Sequence, residues 1–78
     1  MPRDNLAMVK PKECCLIAEL KMQEKQKKRM IDLGFYVGNS ISCDRISPGA
    51  SLIAFQVNGM TIALRKNICE QICVTKYE

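Results

Sequence analysis

The dipeptide Asn58-Gly59, set between the strand-like runs 52–57 and 60–65, constrains this chain more than any other feature of its sequence. Both central positions of a two-residue type I′ hairpin need positive φ, and Asn followed by Gly meets that need with little steric strain. Such a turn fixes the register. Ile53, Phe55 and Val57 fall on one face, and across the turn Met60, Ile62 and Leu64 alternate with Thr61, Ala63 and Arg65. An antiparallel pair with one core face is expected.

The remaining elements follow from changes of period. Residues 14–20 read as a first strand whose alternation is poor, so both of its faces are expected to be covered. Ahead of it, residues 6–12 form a lead-in loop closed by Pro11, with Leu6, Met8 and Val9 packed onto the sheet. From 22 to 33 the spacing turns helical: Met22, Gln26, Met30 and Leu33 share one stripe, and Lys21, Lys25, Lys28 and Asp32 another. Gly34 stands where a left-handed residue closes a last turn, so the main helix should end there. Gly38-Asn39 supplies a turn, residues 40–46 a strand with Ile41 and Cys43 on one face, and Ser47-Pro48-Gly49 its end. Asn67 with Glu70 three positions on resembles a capping box, which predicts one helical turn before a last strand near 71–75. Five short strands and one main helix make the chain mainly β, and a small barrel is the architecture that leaves no long edge unpaired.

The 78 residues give room for one domain, and a domain of this size buries only about 60% of its unfolded surface. No repeat or low-complexity linker divides the chain, so a single domain over 1–78 is expected, with its core spanning 6–75. The apolar runs 51–57 and 60–64 fall far short of a membrane span. The start Met1-Pro2-Arg3-Asp4-Asn5 has neither the apolar core nor the cleavage site of a leader, which makes a cytoplasmic location the expectation. Cys14, Cys15, Cys43, Cys69 and Cys73 are odd in number and sit among apolar residues, a pattern of reduced, buried thiols rather than of a disulfide scaffold.

The chain has no histidine, the commonest general base, and its acids (Asp4, Glu13, Glu19, Glu24, Asp32, Asp44, Glu70 and Glu78) are scattered singly, so catalysis is not expected. Cys14 and Cys15 on a strand point to opposite faces, and Cys69 and Cys73 should diverge where a turn becomes a strand. Ferrous iron also prefers carboxylate or imidazole to a lone thiolate, so no metal site and no cofactor are expected. Five of the twelve basic residues lie within 21–29, opposed there by Glu24. That face lacks interleaved aromatics, a zinc module or a helix-turn-helix, so nucleic acid is not an expected partner. It is either a solvated face or a docking surface for an acidic protein or a membrane patch. Beyond the helix, Phe35 is expected in the core and Tyr36 at a contact surface.

The segment Arg29-Met30-Ile31-Asp32-Leu33-Gly34-Phe35-Tyr36-Val37-Gly38 resembles the helix-end signature of the FeoA family, Arg-Leu-x-x-Leu-Gly-Phe-x-x-Gly, with Met30 in place of Leu. The hairpin running from Phe55 through Asn58-Gly59 to Ala63-Leu64-Arg65 resembles the family's second signature, a glycine turn leading into Ala-Leu-Arg. Lys12 stands where family members often have glycine, and Cys69 and Cys73 replace residues that are usually small or apolar. The resemblance implies a small SH3-like five-stranded β-barrel that serves ferrous-iron uptake without catalysis. It implies contact with the cytoplasmic GTP-binding region of the transporter FeoB, and through FeoB a peripheral membrane association. The physical reading and the resemblance agree on an exposed working surface, for which Lys25, Lys28, Arg29, Tyr36 and Arg65 are the expected contact residues, with Leu33, Gly34 and Gly38 shaping it. Such a surface also allows weak homo-oligomerisation. Two other readings stay open: an interaction module like the C-terminal domain of metal-dependent repressors, and a small nucleic-acid-binding barrel.

Overall fold

The computed structural model describes residues 4–77 and places along them β1 (Asp4–Asn5), β2 (Cys14–Leu20), α1 (Glu24–Leu33), β3 (Ser40–Ile46), β4 (Leu52–Val57), β5 (Met60–Arg65), α2 (Lys66–Cys69) and β6 (Ile72–Tyr77). The strands form one antiparallel sheet in the order β1-β6-β2-β3-β4-β5. The hairpin follows its turn chemistry: φ is 50° at Asn58 and 81° at Gly59, and pairing runs from Val57↔Met60 to Leu52↔Arg65. Ile53, Phe55 and Val57 are all buried.

Two expectations about the sheet need correction. There are six strands rather than five, because Asp4 and Asn5 pair with Val74 and Cys73; two residues carry no periodic signal. The sheet is also not closed: β1 and β5 are its edges, and among the described residues no ladder joins them. The expectation of a leader-free start falls on Met1, Pro2 and Arg3, outside the described residues.

Bulges explain the poor alternation in the first strand. Pairing of β2 with β6 shifts between Ile17 and Glu19, which returns Leu20 to the inner face beside Cys15 and Ile17. Its outer face is less covered than expected, since Leu16 is exposed. A second shift, between Cys43 and Arg45, follows the buried pair Ile41 and Cys43.

The lead-in is a short 3-10 turn at Leu6–Met8, capped by Asn5 Oδ1, which accepts from the Ala7 N–H at 2.9 Å. Leu6 and Val9 are buried as expected, whereas Met8 is exposed because the turn aims it outward. Helix α1 starts at Glu24, after Met22, and Gln23 offers no side-chain cap. Its inner stripe is the expected one, with Met30 buried and Met22 and Leu33 packed against the core. The capping box does not form. Helix α2 begins one residue before Asn67, behind Arg65 as an N-cap without a side-chain bond, and Glu70 stands at its C-cap.

Phe35 and Phe55 meet edge to face at the centre of the core, with centroids 6.1 Å apart and planes at 86°, a geometry worth about 0.5–1.5 kcal/mol beyond area burial. All five thiols are free, and Cys15, Cys43 and Cys69 belong to the same core cluster. Burial pushes Cys15 and Cys69 up to about 12 and raises Cys43 as well. These thiols are packing groups, protonated at neutral pH.

Candidate protein-docking surface

The end of α1 is a Schellman closure. The Gly34 N–H donates to the Ile31 carbonyl at 3.0 Å and the Phe35 N–H to the Met30 carbonyl at 2.9 Å. Gly34 is left-handed at φ 110°, and Met30 and Phe35, both buried, make the apolar contact that accompanies this motif. The Leu33-Gly34-Phe35 signature is therefore a stop that turns the chain into the core.

That stop is locked to the hairpin. A Cβ on Gly34 would lie 2.5 Å from Val57 Cγ1 and 2.9 Å from Asn58 Nδ2, so only glycine allows the approach. Asn39 Nδ2 donates to the Gly34 carbonyl at 2.6 Å and to Asn58 Oδ1 at 3.3 Å. Gly38, at φ 94°, makes the turn that brings Asn39 there, closed by the Asn39 N–H on the Tyr36 carbonyl at 3.0 Å. Its own N–H donates to the Ile17 carbonyl at 2.8 Å. Helix end, loop and hairpin tip form one rigid corner.

The corner presents a mixed surface. Ile31, Tyr36 and Val37 are 46%, 42% and 62% exposed, apolar area at a place where a free-standing fold gains nothing from it. Lys25, Lys28 and Arg29, spaced at i, i+3 and i+4, share one exposed side of α1. Lys27 instead pairs with Glu24 at 3.6 Å, whereas among the described residues Lys25, Lys28 and Arg29 have no carboxylate partner.

Of the residues singled out from sequence, the structure brings Arg29, Leu33, Gly34, Tyr36 and Gly38 to this corner or its approach, with Lys25 and Lys28 on the same helix. Leu33 is half-buried and Gly34 buried, so these two act as supports, and Phe35 is core as expected. Arg65 lies apart from the hairpin tip: it pairs with Leu52 at the other end of β5, five steps or about 17 Å from Met60. Sequence reading missed Asn39 and Asn58 as a pair, which no spacing rule connects, and the exposure of Ile31 and Val37. The run Ile31 to Val37 held that last signal, since it carries more apolar residues than one buried stripe of a helix end can use. Among the described residues no three His, Cys, Asp or Glu side chains gather as a metal-ligand group.

An antiparallel sheet with one basic helix between β2 and β3 and a helical turn before the last strand defines a small SH3-like β domain. Residues 5–76 match the FeoA domain family, and the chain belongs to that family. The solved FeoA protein from Chlorobium tepidum is 24% identical, with a TM-score of 0.89 over 96% of this chain and 71% of that one. Iron(II) transport protein A from Clostridium thermocellum is 22% identical, with a TM-score of 0.88 over 94% of this chain and 45% of that one. The repressor ScaR with bound Zn2+ is 25% identical, with a TM-score of 0.81 over 94% of this chain but only 36% of the repressor. No curated protein matches.

Proposed function

We propose that this chain is a non-catalytic accessory of ferrous-iron uptake that works in the cytoplasm by docking on the cytoplasmic GTP-binding region of FeoB. The observation that carries the reading is the rigid corner at the end of α1, where Ile31, Tyr36 and Val37 are exposed on and just beyond the helix that carries Lys25, Lys28 and Arg29, cations without a carboxylate partner among the described residues. Aromatic and aliphatic anchors rimmed by charge are the composition of protein contact surfaces. Membership of the FeoA family supports the assignment to ferrous-iron uptake. No described helix is long and apolar enough to cross a membrane, so membrane association would come through the partner.

Titrating the chain against the isolated cytoplasmic region of FeoB and against full-length FeoB in membranes tests this. Tyr36→Ala should weaken binding at least about tenfold, as expected of a central aromatic anchor. Arg29→Ala and Lys28→Glu should act mainly on the association rate and its salt dependence. Absence of binding to both forms of FeoB defeats the reading. The likeness to ScaR favours a second reading, an interaction module that serves a metal-dependent repressor; binding to such a repressor's remaining domains, without FeoB binding, would select it.

A further inference from the structure

Strand β5 is a six-residue edge, and among the described residues no strand pairs with its outer side. Because Val57 and Met60 flank a two-residue turn, Met60, Ile62 and Leu64 spend their backbone groups on β4, and Thr61 and Ala63 point theirs outward. Among the described residues no hydrogen bond satisfies those outward backbone groups. Proteins normally guard such an edge with proline, a bulge or an inward-pointing charge. β5 has no proline, keeps an unbroken register with β4 and carries its one charge, Arg65, at its end. The opposite edge, β1, is only two residues long.

The geometry points to a second copy of this chain as the occupant, with the two β5 strands antiparallel about a two-fold axis at Ile62. In that register Thr61 and the partner's Ala63 exchange both backbone hydrogen bonds, and so do Ala63 and the partner's Thr61. On the inner face Ile62 meets its own copy and Met60 meets Leu64. This covers Met60, which is 56% exposed on the side of the strand that otherwise faces the core. No like charges oppose each other, since Arg65 falls opposite Gly59. Residue Thr61, whose hydroxyl accepts from Gln56 Nε2 at 2.6 Å, and Ala63 are small and exposed, so the strands can close without a clash on the outer face. One seam of this length makes a weak, isologous dimer. Each copy carries a net charge of +4, so added salt should strengthen it.

Sedimentation equilibrium of the full chain under reducing conditions, up to about 1 mM protein and at about 0.05 and 0.3 M salt, measures the association. Amide exchange locates it. A monomer–dimer equilibrium favoured by salt is expected, with the Thr61 and Ala63 amides becoming protected as concentration rises. The variant T61K/A63K places lysine opposite lysine twice and should weaken the dimer about fivefold or more, whereas T61E/A63K makes two opposite-charge pairs and should tighten it by a similar factor. Urea unfolding checks that both variants fold. A monomer throughout, protection mapped elsewhere, or equal association of the two variants overturns the inference. None of these changes touches the corner of α1, so failure here leaves FeoB docking to stand or fall by its own titration.

Discussion

Gly34 and Lys12 both hold left-handed backbone, with φ of 110° and 74°, and they answer that demand in opposite ways. Gly34 has no Cβ where one would strike Val57 and Asn58. Gly34→Ala should therefore destabilise the fold by about 2–4 kcal/mol, from the left-handed penalty plus overpacking at the hairpin, read as a lower urea midpoint. Lys12 occupies the third position of a turn closed by the Glu13 N–H on the Lys10 carbonyl at 3.0 Å. Pro11 at the second position and positive φ at the third are the arrangement of a type II turn, which favours glycine at the third. Lys12→Gly should raise stability by about 0.5–1 kcal/mol, the relief of strain less the added entropy of the unfolded chain. Lys12 is exposed, and among the described residues its side chain makes no hydrogen bond or ion pair that glycine would lose. The turn is further held by the Lys10 N–H, which donates to Glu13 Oε1 at 2.7 Å. That bond, with Lys76 nearby, holds the Glu13 carboxyl below its ordinary range.

At the scale of elements, legibility followed how far each signal depends on neighbours in sequence alone. The β4–β5 hairpin was readable to the residue because Asn58-Gly59 and the alternation of Ile53, Phe55 and Val57 are local demands. The end of α1 was readable because Gly34 must be left-handed whatever the helix packs against. Helix α2 was displaced because Asn67 could cap a helix, but the chain already turns at Arg65, where the Lys66 N–H donates to the Ser51 carbonyl at 3.0 Å. Strand β2 hid its inner face because a bulge opposite β6 is a property of the pair, not of either sequence. The docking corner was half legible for the same reason. Tyr36 and the α1 cations stand out in the sequence, while the Asn39 bridge from Gly34 to Asn58 spans nineteen positions between its two asparagines.

For the molecule as a whole, the core thiols couple stability to pH in a direction that can be worked out. Cys15 and Cys69 are pushed up to about 12, chiefly by burial, and Cys43 is raised in the same way. In the unfolded chain these thiols ionise near pH 8.5. A group whose folded value lies above its unfolded value contributes stability that is whole below the unfolded value and lost as pH rises toward the folded one. Under reducing conditions the urea midpoint should thus hold steady from about pH 7 to 8 and decline from about pH 8.5 onward. Replacing both Cys15 and Cys69 by Ala should lower the midpoint at neutral pH, since each leaves a small void in the core cluster, yet flatten the decline at alkaline pH. A double variant that loses stability as steeply as the parent between about pH 8.5 and 10.5 would show that groups other than Cys15 and Cys69 govern the alkaline limit. The position and sign of that slope distinguish cysteines that serve as packing from cysteines held ready to ionise, because a thiolate stabilised in the fold would make the protein gain stability up to about pH 8.5 and hold it above, with no decline there from the thiols.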